Sequence, residues 1–113
     1  MMDRSKVAVS ATGGSIHGQV EERFGRAPYF VVVDPETMKF GLITNHSTTA
    51  AHGAGPRTAA LLAEQGVGVV ITGRIGPKAA EALAGLGIQV EEGASGGIKA
   101  AVEGFLSRGS TVR

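Results

Sequence analysis

Short apolar runs alternate along the chain with polar gaps bounded by glycine or proline, and the period of each run predicts its element. Residues 6–11 (KVAVSA) are β-branched and end at Thr12-Gly13-Gly14, which predicts a first strand. Residues 29–34 (YFVVVD) predict a second. Asp34-Pro35-Glu36-Thr37 predicts a turn, since proline's fixed φ suits the second turn position. Over 38–45 (MKFGLITN), Met38, Phe40 and Leu42 alternate with Lys39, Gly41 and Ile43. A period of two predicts a half-buried strand returning as a hairpin. In the long connection 12–28, residues 19–24 can make about one and a half helical turns, with Val20 and Phe24 four apart.

The second half repeats a different unit. Pro56 opens a helical pattern through residue 64, and Gly66 closes it. Residues 67–72 (VGVVIT) read as a buried strand. Gly76-Pro77 opens a second helix, with Ala79, Ala80, Leu83 and Leu86 on one stripe and Gly87 at its end. Residues 88–91 form a short strand. The last helix, 98–106, carries Ile98, Ala101, Val102, Phe105 and Leu106 on one face, with Gly109 after it and a tail at 110–113. Proline at a helix start and glycine past its end is the expected asymmetry. The predicted architecture is a single α/β domain over 1–113, with its core at about 5–107. It is a five-stranded mixed sheet in order 3-2-1-4-5, strand two antiparallel, with right-handed crossovers and three main helices. That is the outline of a ribonuclease H-like fold, which by itself says little about function.

This topology gathers the connections after strands one, three, four and five, at 12–28, 46–55, 73–76 and 92–97, at one end of the sheet. Composition makes that end distinctive. Glycine accounts for 18 of 113 residues, over twice the usual share of about 7%. Gly13, Gly14, Gly53, Gly55, Gly73 and Gly76 fall in these connections, as do His17, His46 and His52. Ligands of open α/β sheets bind beyond the carboxyl ends of strands where the strand order reverses, here between strands one and four. Glycine admits close backbone approach, and three helix starts point positive dipole ends the same way. With Arg23, Arg26, Arg57 and Arg74 this predicts an anion-favouring rim. Any one of these glycines is equally well explained by a tight strand-to-helix turn.

Other chemistries are excluded or unsupported. There is no cysteine, so disulfides, zinc–thiolate sites, a cysteine nucleophile and clusters held by this chain's own thiolates are absent. Aromatic residues are 4% with no tryptophan, and the net charge is +1, which argues against a base-stacking platform and nucleic-acid binding. No P-loop, dinucleotide fingerprint or GxSxG elbow occurs. A two-metal nuclease on this fold needs inward carboxylates on strands one and four, where the chain offers Ser10 and Thr72. Nothing resembles a signal h-region or a span of about 20 apolar residues, so a soluble cytoplasmic protein is expected, with no membrane partner. Histidine is the remaining metal ligand. No pair has local chelating spacing, so a site would be assembled from separate loops. His52, beside a glycine loop at a helix start, is the best candidate, with His46 and His17 as helpers. Asn45, Ser47, Thr48 and Thr49 could contact a ligand, but an ordinary polar loop and turn cap explains them better.

Three ordered segments carry a family resemblance. ERFGRAPYF at 22–30, HGAG at 52–55 with the following helix through Gly66-Val67, and VITGRIGPKA at 70–79 resemble the dinitrogenase iron–molybdenum cofactor biosynthesis family. The resemblance spans about residues 5–107. That family comprises stand-alone NifX- and NafY-type cofactor carriers and the C-terminal part of NifB, with a ribonuclease H-like fold. The resemblance implies a non-enzymatic protein that binds a preformed iron–sulfur or iron–molybdenum cluster and exchanges it with a donor or acceptor protein. Such clusters are anionic, which suits a glycine rim with Arg26 and Arg74. Arg74 and Lys78 stand where many relatives carry asparagine, adding positive charge. The alternative is a cluster-free regulatory or interaction domain of the same fold.

Overall fold

The computed structural model describes residues 5–45 and 54–108. The described elements are β1 (Lys6–Ala11), a 3-10 turn (Phe24–Arg26), β2 (Tyr29–Val33), β3 (Phe40–Thr44), α1 (Ala54–Glu64), β4 (Val67–Ile71), α2 (Pro77–Gly85), β5 (Gln89–Glu91) and α3 (Ile98–Ser107). The sheet order is β3-β2-β1-β4-β5. β1 pairs antiparallel with β2 and parallel with β4, and β2 pairs antiparallel with β3. The mixed sheet expected from the hydrophobic pattern is therefore the sheet observed.

Each strand face has its own core because successive side chains alternate across a sheet. Ala8, Phe30, Val32 and Val70 join Ala59, Leu62, Ala79 and Leu83 under α1 and α2. Val7, Val9, Val31, Val33, Val69 and Ile71 join Ile98, Val102 and Phe105 under α3. Central strands buried on both sides read as continuous apolar runs for that reason. Pro56 lies inside α1, in its first turn, where no intrahelical N–H is needed, so the helix starts two residues before it. Gly66 and Gly87, just past α1 and α2, take positive φ as helix-ending glycines do.

Two local expectations are corrected. Residues 19–24 do not form a helix. Gln19 and Val20 make isolated bridges to Gly97 and Ala11, and only Phe24–Arg26 forms a turn of 3-10 helix. Long-range bonds capture this backbone instead: Val20 N–H donates to Gly96 O at 2.7 Å and Glu21 N–H to Ser10 O at 2.8 Å. The alternation in β3 is also not a burial pattern. Phe40 and Leu42 are 50% and 46% exposed, while Ile43 packs partly on the core beneath α1 and α2. β3 is the sheet's outer strand, and α3 lies on β1. The hairpin itself is closed by a four-residue loop. Met38 N–H donates to Asp34 O at 2.8 Å, with Met38 in the left-handed region at φ 59°.

Candidate functional site

The carboxyl ends of β1 and β4 lie side by side, and the connections beyond them are hydrogen-bonded into one unit. Phe24 N–H donates to Arg74 O at 2.9 Å, and Arg74 N–H donates back to Glu22 O. Arg23 and Arg74 are thereby partners in a parallel bridge. Gly93 N–H donates to Gly73 O at 2.9 Å, and Ile98 N–H to Gly18 O at 3.0 Å. Segments 18–24, 73–75 and 93–98 are thus one framework. Gly73 is fixed by contact. A Cβ there would stand 2.5 Å from the Glu22 carbonyl oxygen, which no other residue type tolerates unshifted.

The apolar members of the RFGRAPYF segment anchor this framework. Phe24, Ala27 and Phe30 are buried, with the two phenyl rings 5.3 Å apart and tilted. Arg23 and Arg26 are left exposed on either side, as is Arg74. Two like charges on bridge partners repel unless an anion sits between or above them. Among the described residues the single ion pair is Arg108–Glu91, at 3.3 Å, so the guanidinium groups of Arg23, Arg26 and Arg74 make no described ion pair. α2 and α3 begin at Gly76 and Gly97, neither of which supplies a side-chain cap. Their first-turn N–H groups therefore add positive potential at the same end. Two positions depart from this trend, and at the first the Glu21 carboxylate accepts the Arg23 backbone N–H at 3.1 Å. At the second the Glu92 carboxylate accepts the Ile75 N–H at 3.3 Å, so the chain's own anion occupies that donor.

The predicted residues divide. Arg26, Gly73, Arg74 and Gly76 belong to this framework or its flank. Gly13 and Gly14 lie in the loop after β1, where Gly14 faces the Leu42 side chain and Ile16 enters the core beneath α3. Among the described residues, no hydrogen bond joins Gly13 or Gly14 to 73–76. Gly55 sits on Ala79, whose Cβ would lie 2.9 Å from an added Cβ, so its small size lets α1 and α2 approach. His17 is exposed, its backbone N–H held by Ser15 Oγ at 3.1 Å. His46, His52 and Gly53, with Ser47, Thr48 and Thr49, lie outside the described residues. Asn45 is buried and structural: Nδ2 donates to Ala27 O at 2.9 Å, and Thr58 Oγ1 donates to Oδ1 at 3.3 Å. Among the described residues, no three His, Asp or Glu side chains group to hold a metal ion.

Arg23 was expected in the rim, but its pairing with Arg74 was not, because a bridge across 51 positions has no local signal. Ser10 and Thr72 occupy the inward positions where a nuclease of this fold needs carboxylates. Their hydroxyl oxygens are 2.8 Å apart and buried. Ser10 also lies 2.7 Å from the Glu21 carbonyl, which only accepts. Its one proton goes there, so Thr72 donates to Ser10. Both hydroxyls are consumed in tying the strands to segment 18–24.

The fold and the sequence together assign the class. The family profile described as dinitrogenase iron-molybdenum cofactor matches residues 5–108, and the chain belongs to that family. Its members are associated with the iron–molybdenum cofactor of nitrogen fixation. The apo form of the orange protein from Desulfovibrio gigas is 40% identical, with a TM-score of 0.91 covering 100% of this chain and 96% of that one. A Thermotoga protein solved by NMR, described as a candidate NifB protein of the DUF35 family, is 30% identical. Its TM-score is 0.81, with 91% of this chain and 88% of that one covered. An uncharacterized protein of Methanocaldococcus jannaschii is 31% identical over 93 residues, or 80% of this chain and 79% of its own. No helix among the described residues is long and apolar enough to cross a membrane.

Proposed function

We propose that this protein is a non-catalytic carrier. Its cargo is a preformed, anionic metal–sulfur cluster of iron–sulfur or iron–molybdenum type, which it passes to an acceptor protein. The observation that carries this reading is the bridged pair Arg23–Arg74, whose guanidinium groups make no described ion pair, at the sheet end where the strand order reverses. Arg26 and the first turns of α2 and α3 extend the same positive field. An anion bridging the two guanidinium groups relieves their repulsion and gains charge-assisted hydrogen bonds. Gly73, Arg74 and Gly76 supply backbone at the site, Gly13, Gly14 and Gly55 flank it in neighbouring segments, and Gly53 is assigned to it from the sequence. His52 is the first-choice metal ligand, with His46 and His17 as secondary ones. A cluster whose own sulfides complete most of its coordination needs only one or two protein ligands, which suits a chain without cysteine. Weak attachment of that kind favours hand-over to an acceptor. Catalysis has no support at the inward positions, where Ser10 and Thr72 bond each other.

Anaerobic reconstitution with iron and sulfide, with and without molybdate, followed by absorption and EPR spectra, tests the carrier role. Iron and acid-labile sulfide bound near stoichiometry, and transferred to an apo acceptor on mixing, is the expected result. A chain that takes up no cluster under any of these conditions is instead the cluster-free interaction domain.

A further inference from the structure

Among the described residues the outer edge of β3 is uncovered, and it is self-complementary. Asn45 N–H donates to Pro28 O and Asp34 N–H to Lys39 O, both at 2.9 Å. These bonds set the alternation of the β2–β3 ladder, in which Phe30 faces Ile43 and Val32 faces Gly41. Gly41 and Ile43 therefore direct N–H and C=O toward β2, and Phe40, Leu42 and Thr44 direct theirs outward. Natural edges are blunted with charge, proline or a bulge. The five residues Phe40–Thr44 contain no charge and no proline, and their register with β2 is unbroken.

We infer that β3 pairs antiparallel with β3 of a second copy of this chain, across a dyad at Leu42, joining two sheets into one. In that register Leu42 faces Leu42 of the second copy, and Phe40 faces its Thr44. All three residues are outward-directed, so about six backbone hydrogen bonds form. Both sheet faces accept the pairing. On the α3 side, Phe40 and Leu42, 50% and 46% exposed, are covered by their counterparts. On the other side, a groove of about 480 Å³ runs over Gly41 between Val32, Ile43, Lys6 and Gln65. Nothing described lies within 4 Å of where a Cβ on Gly41 would stand. The residue directly opposite Gly41 is Ile43 of the second copy, whose side chain enters this space.

Charge does not oppose the contact. Lys39 faces Asn45 of the second copy, and the two Lys39 residues lie on the order of 20 Å apart, beyond the screening length of about 8 Å. The formal net charge of each chain is only +1. A single short edge buries less than the roughly 800 Å² per partner of a stable interface, so the dimer is weak, with Kd on the order of 10–100 µM.

Sedimentation equilibrium of the full chain tests this, with Leu42→Lys and Leu42→Glu variants run singly and mixed. Wild type should dimerise with concentration. Each variant alone should weaken the dimer at least about tenfold, because like charges then face each other on the dyad. The equimolar mixture should restore dimers, since lysine then faces glutamate. Circular dichroism melting checks that both variants fold, as expected for a half-exposed side chain. A wild type that stays monomeric at about 1 mM overturns the inference. So does a dimer indifferent to both variants, or a mixture no more dimeric than its components.

Discussion

Gly73 packs directly on the backbone of Glu22, and this contact sets the spacing between the loop after β4 and the segment that carries Arg23. An added methyl would meet the Glu22 Cα at 2.8 Å as well as its carbonyl oxygen. Gly76, three residues on, has open space around it and φ −74°.

Two glycines of one loop should therefore respond differently. Gly73→Ala should destabilise the fold by about 1–3 kcal/mol, through overpacking against backbone that cannot swing away. Gly76→Ala should stay within about 1 kcal/mol of wild type, because restricting the unfolded chain is offset by alanine's poorer fit at the start of α2. Urea denaturation of both variants checks this. Equal costs would mean that the close approach at Gly73 relaxes freely.

The hydroxyl pair joining β1 to β4 should behave as one unit. Thr72→Val removes one donor and should cost about 1 kcal/mol, whereas Ser10→Ala also strands the Glu21 carbonyl and should cost about 1–2 kcal/mol. The double variant should lose less than the sum by about 0.5 kcal/mol or more, as contacting residues do. A double-mutant cycle from denaturation midpoints measures the coupling.

Arg74→Ala and Arg23→Ala should each weaken uptake of an anionic cluster about two- to fivefold at low salt, as exposed charges do. The difference from wild type should shrink as ionic strength rises. Titrations at two salt concentrations, read by absorption, test this. Losses that are the same in both buffers would point away from electrostatic capture.

For the metal ligand, His52→Ala should lower iron per chain after anaerobic loading, with the circular dichroism spectrum unchanged. His46→Ala and His17→Ala should have smaller effects. Equal iron content in wild type and His52→Ala would remove the assignment.

Strand order, helix positions and the end of the sheet that gathers the glycine loops were all legible in the sequence. They depend on local periodicity and on connection rules, both of which are written in consecutive residues. What was not legible depends on distant partners. The helix-like spacing of Val20 and Phe24 was outweighed by bonds from Gly96 and Ser10, which no local pattern announces. Phe40 and Leu42 alternate like buried residues, yet strand position in the sheet decides what covers them. The Arg23–Arg74 pair likewise follows from the β1–β4 neighbourhood.

β1 leads the described strands in chain order but lies at the centre of the sheet. Its antiparallel partner follows within a short stretch of chain. Its parallel partner is far away: Ser10 and Thr72 are 62 residues apart. During synthesis from the N-terminus, β1, β2 and β3 can meet as a meander while one flank of β1 has no neighbour. That flank stays open until β4 has emerged, and with it the α1 crossover. Pairing over such separations makes folding slower than in helical bundles, whose contacts are mostly local. The nascent chain thus carries a central apolar strand exposed on one side until β4 has formed. That interval is when it is most prone to aggregate and most in need of a chaperone.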